Sequence, residues 1–148
     1  MFLINFLIIV LLILIWLKLS WIILFFYSIY FSTRTYPCFT ELYDIFYIKG
    51  IKVVPLNLYD YLTNEVLAHW ISCDGSNIKG AMYLQTQSIT LKEVVFIINI
   101  LIIKFYFYCS IHYLRGQPFI YISVKSMKKI IPFLLPFMCN SMKYKLNI

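Results

Sequence analysis

Leu67-Ala68-His69-Trp70-Ile71-Ser72-Cys73-Asp74-Gly75 is the stretch on which the fold turns. Leu67, Ala68, Trp70 and Ile71 recur at helical spacing. Thr63 stands where a helix cap belongs, with Glu65 in the first turn, and Gly75 is placed to end the helix in a left-handed conformation. An amphipathic helix from Thr63 to Asp74 is therefore expected, and its last residue is an acid. An acid there meets the negative end of the helix dipole, which costs a few tenths up to about 1 kcal/mol. A metal ion or another cation beside Asp74 would reverse the sign. The chain has only 6 acids in 148 residues, so this one asks for a reason. The plain alternative is that Asp-Gly is a common turn dipeptide.

Downstream, Lys79 to Gln87 reads as a strand, with Met82 and Leu84 on one face and Tyr83, Gln85 and Gln87 on the other. Thr90-Leu91-Lys92-Glu93 is a capping box. The helix it opens carries Val94, Ile97, Ile98 and Leu101 on one face and ends near Lys104. Two strands, Tyr106 to Tyr113 and Phe119 to Lys125, flank Arg115-Gly116-Gln117-Pro118. In the second, Ile120, Ile122 and Val124 alternate with Tyr121, Ser123 and Lys125. A helix from Ser126 through Leu134, broken by Pro132 and Pro136, and a short segment ending in Lys145 complete the chain. Upstream, Tyr30 to Tyr36 alternates as a strand with Ser32 and Arg34 on one face, and Pro37 stops it. Phe39, Leu42, Tyr43 and Phe46 suggest a short helix. Ile48 to Leu58, with Gly50 and Pro55, reads as a connector.

Hydrophobic residues make up 62% of the chain and the mean hydropathy is +0.82. The excess is concentrated at the start: Met1 to Leu17 carries no charge, Lys18 interrupts, and Leu19 to Phe31 is again uncharged. About 20 apolar residues span a bilayer, so residues 1–31 qualify as a membrane anchor, without the basic start of a secretory signal. A second reading stays open. Phe, Tyr, Ile, Asn, Lys and Met abound, and translated AT-rich organellar DNA imitates a membrane helix. The net charge is +7, and all but one of the 13 basic residues follow Tyr30, a balance that attracts polyanions. Cys38, Cys73, Cys109 and Cys139 form no metal-binding pair, and the two histidines supply no zinc spacing. The cysteines read as small buried hydrophobes, with no disulfide framework.

The stretch from Leu67 to Gly75 resembles the second motif of the LAGLIDADG homing endonucleases, in particular intron-encoded mitochondrial members. The likeness extends through Thr33-Arg34-Thr35, Pro37, Phe39 to Tyr43, Gly50, Lys52 and Pro55 upstream. Downstream it takes in Leu84, Thr86-Gln87-Ser88, Glu93-Val94, Lys104-Phe105, Ile120-Tyr121-Ile122, Ser126-Met127 and Met142 to Leu146. It implies an α+β half-saddle: an antiparallel sheet with an apolar face backed by helices and a polar face for DNA. The expected organisation is an apolar segment over residues 1–29, the tail of a first repeat over 30–62 and a second repeat over 63–148. No acid precedes Glu41, so the first acidic helix is expected to be missing. A partial or degenerate copy, or one completed by a second chain, follows from that.

The resemblance further implies hydrolysis of double-stranded DNA with magnesium. Asp74 would be the metal ligand and catalytic carboxylate, and Lys145 and Lys52 would match active-site lysines. Base contacts would come from Tyr83, Gln85 and Gln87, from His112, Arg115 and Gln117 around the hairpin, from Tyr121, Ser123 and Lys125, and from Arg34. Some relatives are RNA maturases, which makes intron RNA the alternative partner. The mitochondrial matrix is the expected location. Without a twin helix, Leu67, Ala68 and Ile71 are expected to form an exposed apolar patch, through which the protein with Met1 to Tyr27 deleted self-associates.

Overall fold

The computed structural model describes Ser32 and residues 36–148. The expected membrane segment over residues 1–31 and the strand carrying Arg34 lie outside the described residues. Among the described residues, no helix is long and apolar enough to cross a membrane.

Pro37, expected to stop a strand, opens an element. It stands at the start of helix α1 (Pro37–Phe46), where its missing N–H has no partner to lose. Strands β1 (Tyr47–Ile48) and β2 (Ile51–Lys52) form a hairpin, and a single turn of helix, α2 (Leu58–Tyr61), follows. The expected connector over 48–58 is thus partly structured. Helix α3 (Asn64–Asp74) starts as anticipated, with the Val66 N–H donating to Thr63 Oγ1 at 3.3 Å.

Its end differs. Gly75 has φ −76° and ψ 138°, extended rather than left-handed. The reason for glycine is space: a Cβ there would lie 2.5 Å from the Ile71 carbonyl oxygen and 2.8 Å from Met82 Sδ. The chain therefore passes straight from the helix into strand β3 (Gly75–Ile78), an element the sequence pattern did not reveal. β3 pairs with β4 (Ala81–Gln85), β4 with β6 (Gln117–Ile122), and β6 with β5 (Cys109–Leu114), all antiparallel, in the order β3-β4-β6-β5. The β4 strand ends at Gln85, so Gln87 sits in the following turn.

The three hairpin turns among the described residues have one design. Lys49-Gly50, Lys79-Gly80 and Arg115-Gly116 each place two successive residues at positive φ (52° and 78°, 52° and 88°, 51° and 77°). That is the twist-matched two-residue turn of tight hairpins.

Helix α4 (Leu91–Phe105) opens on the complete Thr90–Glu93 capping box. Helix α5 (Val124–Leu134) begins before its expected start and runs on through Pro132, which is exposed, before 3-10 turns at Leu135–Phe137 and Asn140–Leu146. The buried Ile130 and Leu134 hold this helix across the proline. Met82, Leu84, Ile120 and Ile122 form the covered face of the sheet and are fully buried against Leu67, Ile71, Val94, Leu101, Met127 and Leu134. The α+β half-saddle is the observed architecture. One expectation is overturned: Leu67, Ala68 and Ile71 each have 0% exposure. They serve this chain's own core and offer no patch for self-association.

Candidate functional site

Three segments distant in sequence converge on a cleft of about 800 Å³. Asp74 enters it from the end of α3, Lys52 from β2 and Lys145 from the last 3-10 turn. Gln85, Gln87 and Gln117 line it from the end of the sheet. The acid and the two lysines implied by the resemblance are thus brought together.

The cation that the dipole argument asks for is a lysine. Lys145 Nζ donates to the carbonyl oxygens of Ser72 at 2.6 Å and Cys73 at 3.2 Å. These are among the last carbonyls of α3, which have no partner inside the helix. Lys145 therefore caps the helix and offsets its dipole beside Asp74. Burial nevertheless dominates the electrostatics. It raises the Asp74 carboxyl above its usual range, against the charges of Lys52 and Lys145. It lowers Lys52, against Asp74 and Glu93, and lowers Lys145, against Cys73 and Asp74. Each group is pushed towards its neutral form, the pattern of a site kept at a cost in stability. The neighbouring Cys73 thiol is pushed up to about 11, by burial first and then by Asp74.

Glu93 reaches further than its capping box suggests. Its Oε2 accepts from the Thr90 N–H at 2.8 Å and the Thr90 hydroxyl at 2.7 Å, while Oε1 accepts from the Val54 N–H at 2.7 Å. Burial opposes its ionisation, but these hydrogen bonds and the Lys52 charge hold its carboxyl below the usual range. At the other end of α4, Lys104 donates to the Tyr59 carbonyl and lies 4.6 Å from the centre of its ring. Helix α4 thus clasps the segment carrying Lys52 at two points. No sequence signal announces a contact 39 positions away. Glu93→Ala should cost about 2 kcal/mol, from a lost cap and lost charge-assisted hydrogen bonds. In urea unfolding a loss below half that would remove the clasp from the account, as would unchanged hydrogen exchange at Val54.

The open face of the sheet carries Ser76, Tyr83, Tyr121 and Ser110 in one cross-strand row. Tyr83, Tyr121 and His112 form an aromatic cluster, with His112 stacked on Tyr121 at 4.5 Å and Tyr83 5.2 Å from Tyr121. Gln85 and Gln117 belong to the same face, nearer the cleft. Arg115 occupies the tip of the β5–β6 hairpin. Two expected base contacts are displaced. Ser123 caps α5, accepting from the Ser126 N–H at 3.3 Å, and Lys125 lies in the first turn of that helix. Neither is on a strand; the cap residue ends the alternation that had suggested one. Arg34 lies outside the described residues.

Magnesium takes one or two carboxylates plus substrate oxygens. Among the described residues no group of three or more His, Cys, Asp or Glu converges, and Asp74 offers a single carboxylate, the lower end of that range. His69 is half-buried, and burial lowers its pKa. All four cysteines are free, but Cys38 and Cys139 are exposed, against expectation.

An acid and two lysines thus stand together at the end of an open, largely polar sheet face. The chain belongs to the LAGLIDADG DNA endonuclease family, whose model matches residues 24–130. It is 39% identical over 121 residues to the intron-encoded endonuclease ai4 of Dictyostelium discoideum, covering 80% of this chain and 76% of that protein. It is 34% identical over 119 residues to the cytochrome b mRNA maturase bI2 of Debaryomyces hansenii, covering 79% of this chain and 45% of the maturase. Among solved structures it resembles the homing endonuclease I-WcaI bound to its DNA recognition sequence, with a TM-score of 0.70 and 32% identity, over 74% of this chain and 52% of that one. The chain thus spans about half the length of the maturase and of the DNA-bound endonuclease.

Proposed function

We propose that this chain forms one half of a homing endonuclease saddle, binding double-stranded DNA on the open face of its sheet and presenting Asp74 to the scissile phosphate. The observation that carries the reading is the convergence of Asp74, Lys52 and Lys145 beside that face. Asp74 would hold the magnesium ion together with phosphate oxygens and a second carboxylate, supplied by another LAGLIDADG helix. Such an ion lowers the pKa of bound water and neutralises charge on the phosphate. The residues of the chain do the rest. Lys145, fixed by the Ser72 and Cys73 carbonyls, holds the end of α3 in register. Lys52, on the strand that leads to the Glu93 clasp, offers its ammonium to developing negative charge. Gln85, Gln117 and the Tyr83–His112–Tyr121 cluster would meet base edges, since a two-stranded ribbon from such a sheet fits the major groove. With one motif acid, the chain alone should cut DNA weakly or not at all.

Binding is the first test. Neutralising six phosphates gives a log–log salt slope of about −5 on duplex DNA. A flat salt dependence would remove the nucleic-acid reading. The relatives' origin in introns and the AT-rich character of the composition support a mitochondrial location. The maturase relative favours one alternative, assistance to intron splicing, which would use the basic surface without Asp74. Splicing assays set against nuclease digestion separate the two.

A further inference from the structure

From Val94 to Ile148 the chain contains no Asp or Glu, whereas Lys104, Arg115, Lys125, Lys128, Lys129, Lys143 and Lys145 all fall there. Lys125, Lys128 and Lys129 stand at i, i+3 and i+4 on α5, so they share one face of the helix, and all three are exposed. Ser126, Met127, Ile130 and Leu134 turn inward and cover the apolar side of the sheet. The lysine face therefore looks away from the open side on which a duplex would lie.

Two further features gather at the start of this helix. A Cβ on Gly80 would meet a Val124 methyl at 3.4 Å, so the β3–β4 turn brings the exposed Lys79 alongside. Tyr108 is adjacent as well, its ring centre 5.8 Å from Lys125 Nζ. The Tyr108 backbone is pinned: its N–H donates to Ser126 Oγ at 2.8 Å and its carbonyl accepts from the Ser123 N–H at 3.0 Å. The residue is 64% exposed. An exposed ring on a fixed backbone beside a row of cations is the equipment for a single strand, whose unpaired bases stack on aromatic faces while its phosphates follow the charges. A duplex keeps its bases stacked inside and cannot use the ring.

We propose that the outer face of α5, Lys125, Lys128 and Lys129 with Lys79 and Tyr108, is a second nucleic-acid site that takes unpaired RNA. The site deepens the RNA-binding alternative, and it depends on neither Asp74 nor duplex binding by the sheet. The test uses the full chain, a fluorescent mixed-sequence single-stranded RNA, the same sequence as DNA, a duplex, and vesicles containing phosphatidylserine. The Lys125→Gln/Lys128→Gln/Lys129→Gln variant should lose at least about tenfold in RNA affinity, with the salt slope reduced by about 2. Its duplex affinity should change less than about twofold, and Tyr108→Ala should weaken RNA binding by about tenfold. RNA should bind the wild-type chain while duplex is already bound.

Equal losses for RNA and duplex, or displacement of one by the other, would mean a single shared surface and would overturn the site. Unchanged RNA binding in the triple variant would do the same. Tighter binding of the DNA oligonucleotide would overturn the RNA assignment. Vesicle binding that the triple variant abolishes, with RNA binding intact, would give the face to lipid phosphates instead. If the duplex fails to bind at all while the RNA results hold, the saddle reading falls and this site stands.

Discussion

Asp74→Asn should abolish metal-dependent strand cleavage in a saddle completed by a second acidic helix, by at least about 100-fold, the scale on which removal of one preorganised electrostatic group is felt. Duplex affinity and its salt slope should stay within about twofold of wild type, because the acid serves the metal and makes no phosphate contact. A parallel loss of binding would make Asp74 a structural residue. The variant should also be the more stable protein at neutral pH. Burial raises the folded pKa of Asp74, so the folded state takes up a proton more readily than the unfolded chain. The penalty is present above the folded pKa and relieved as pH falls to the unfolded value. The stability difference between variant and wild type should therefore grow as pH rises through that window and then level off. Thermal unfolding in metal-free buffer from acid to neutral pH measures it. A variant less stable at pH 7 would show that Lys52 and Lys145 outweigh burial after all.

Gly75→Ala should be the most damaging small substitution in the fold. The added methyl would stand 2.5 Å from a backbone oxygen and 3.0 Å from the Ile71 Cα, atoms that cannot swing aside, as well as 2.8 Å from the more compliant Met82 sulfur. Overpacking of this kind costs about 3 kcal/mol, a fall of roughly 10 °C in Tm for a domain of this size. Asp74 should shift with the helix end, so in a saddle completed by a second acidic helix the folded fraction should lose cleavage out of proportion to its loss of stability. A Tm within about 2 °C of wild type would show that helix and strand part easily and that the close approach has no structural role.

Legibility in the sequence followed the distance over which a signal acts. The Thr90–Glu93 box and the Thr63 cap lie within four residues of what they bond, and both were plain. The Arg115-Gly116 hairpin was equally local. Strand β3 was hidden because Gly75-Ser76-Asn77-Ile78 is short and made of turn formers; only pairing with β4 and the fit of Gly75 under Met82 make it a strand. Ser123 and Lys125 continued an alternating pattern past the point where a serine cap turns the chain into a helix. The gathering of Lys52, Asp74 and Lys145 had no local signature and was reached through the family likeness of the motif and its flanks. The Val54–Glu93 bond had neither.

The three hairpin turns carry a consequence for how the molecule tolerates change. Asparagine is the residue best suited to the first position of such a turn, yet Lys49, Lys79 and Arg115 stand there at positive φ. Each accepts a conformation that side chains of its kind rarely adopt. The molecule therefore keeps an unspent margin at three surface points far from its packed interior. Replacing all three by asparagine should raise the unfolding free energy measured in urea by a small, additive amount, a few tenths of a kcal/mol per turn, while lowering the net charge from +7 to +4. Such a variant would be sturdier, and it would also lose Arg115 from the hairpin tip and Lys79 from beside α5, so its gain in stability would come with a weaker hold on nucleic acid.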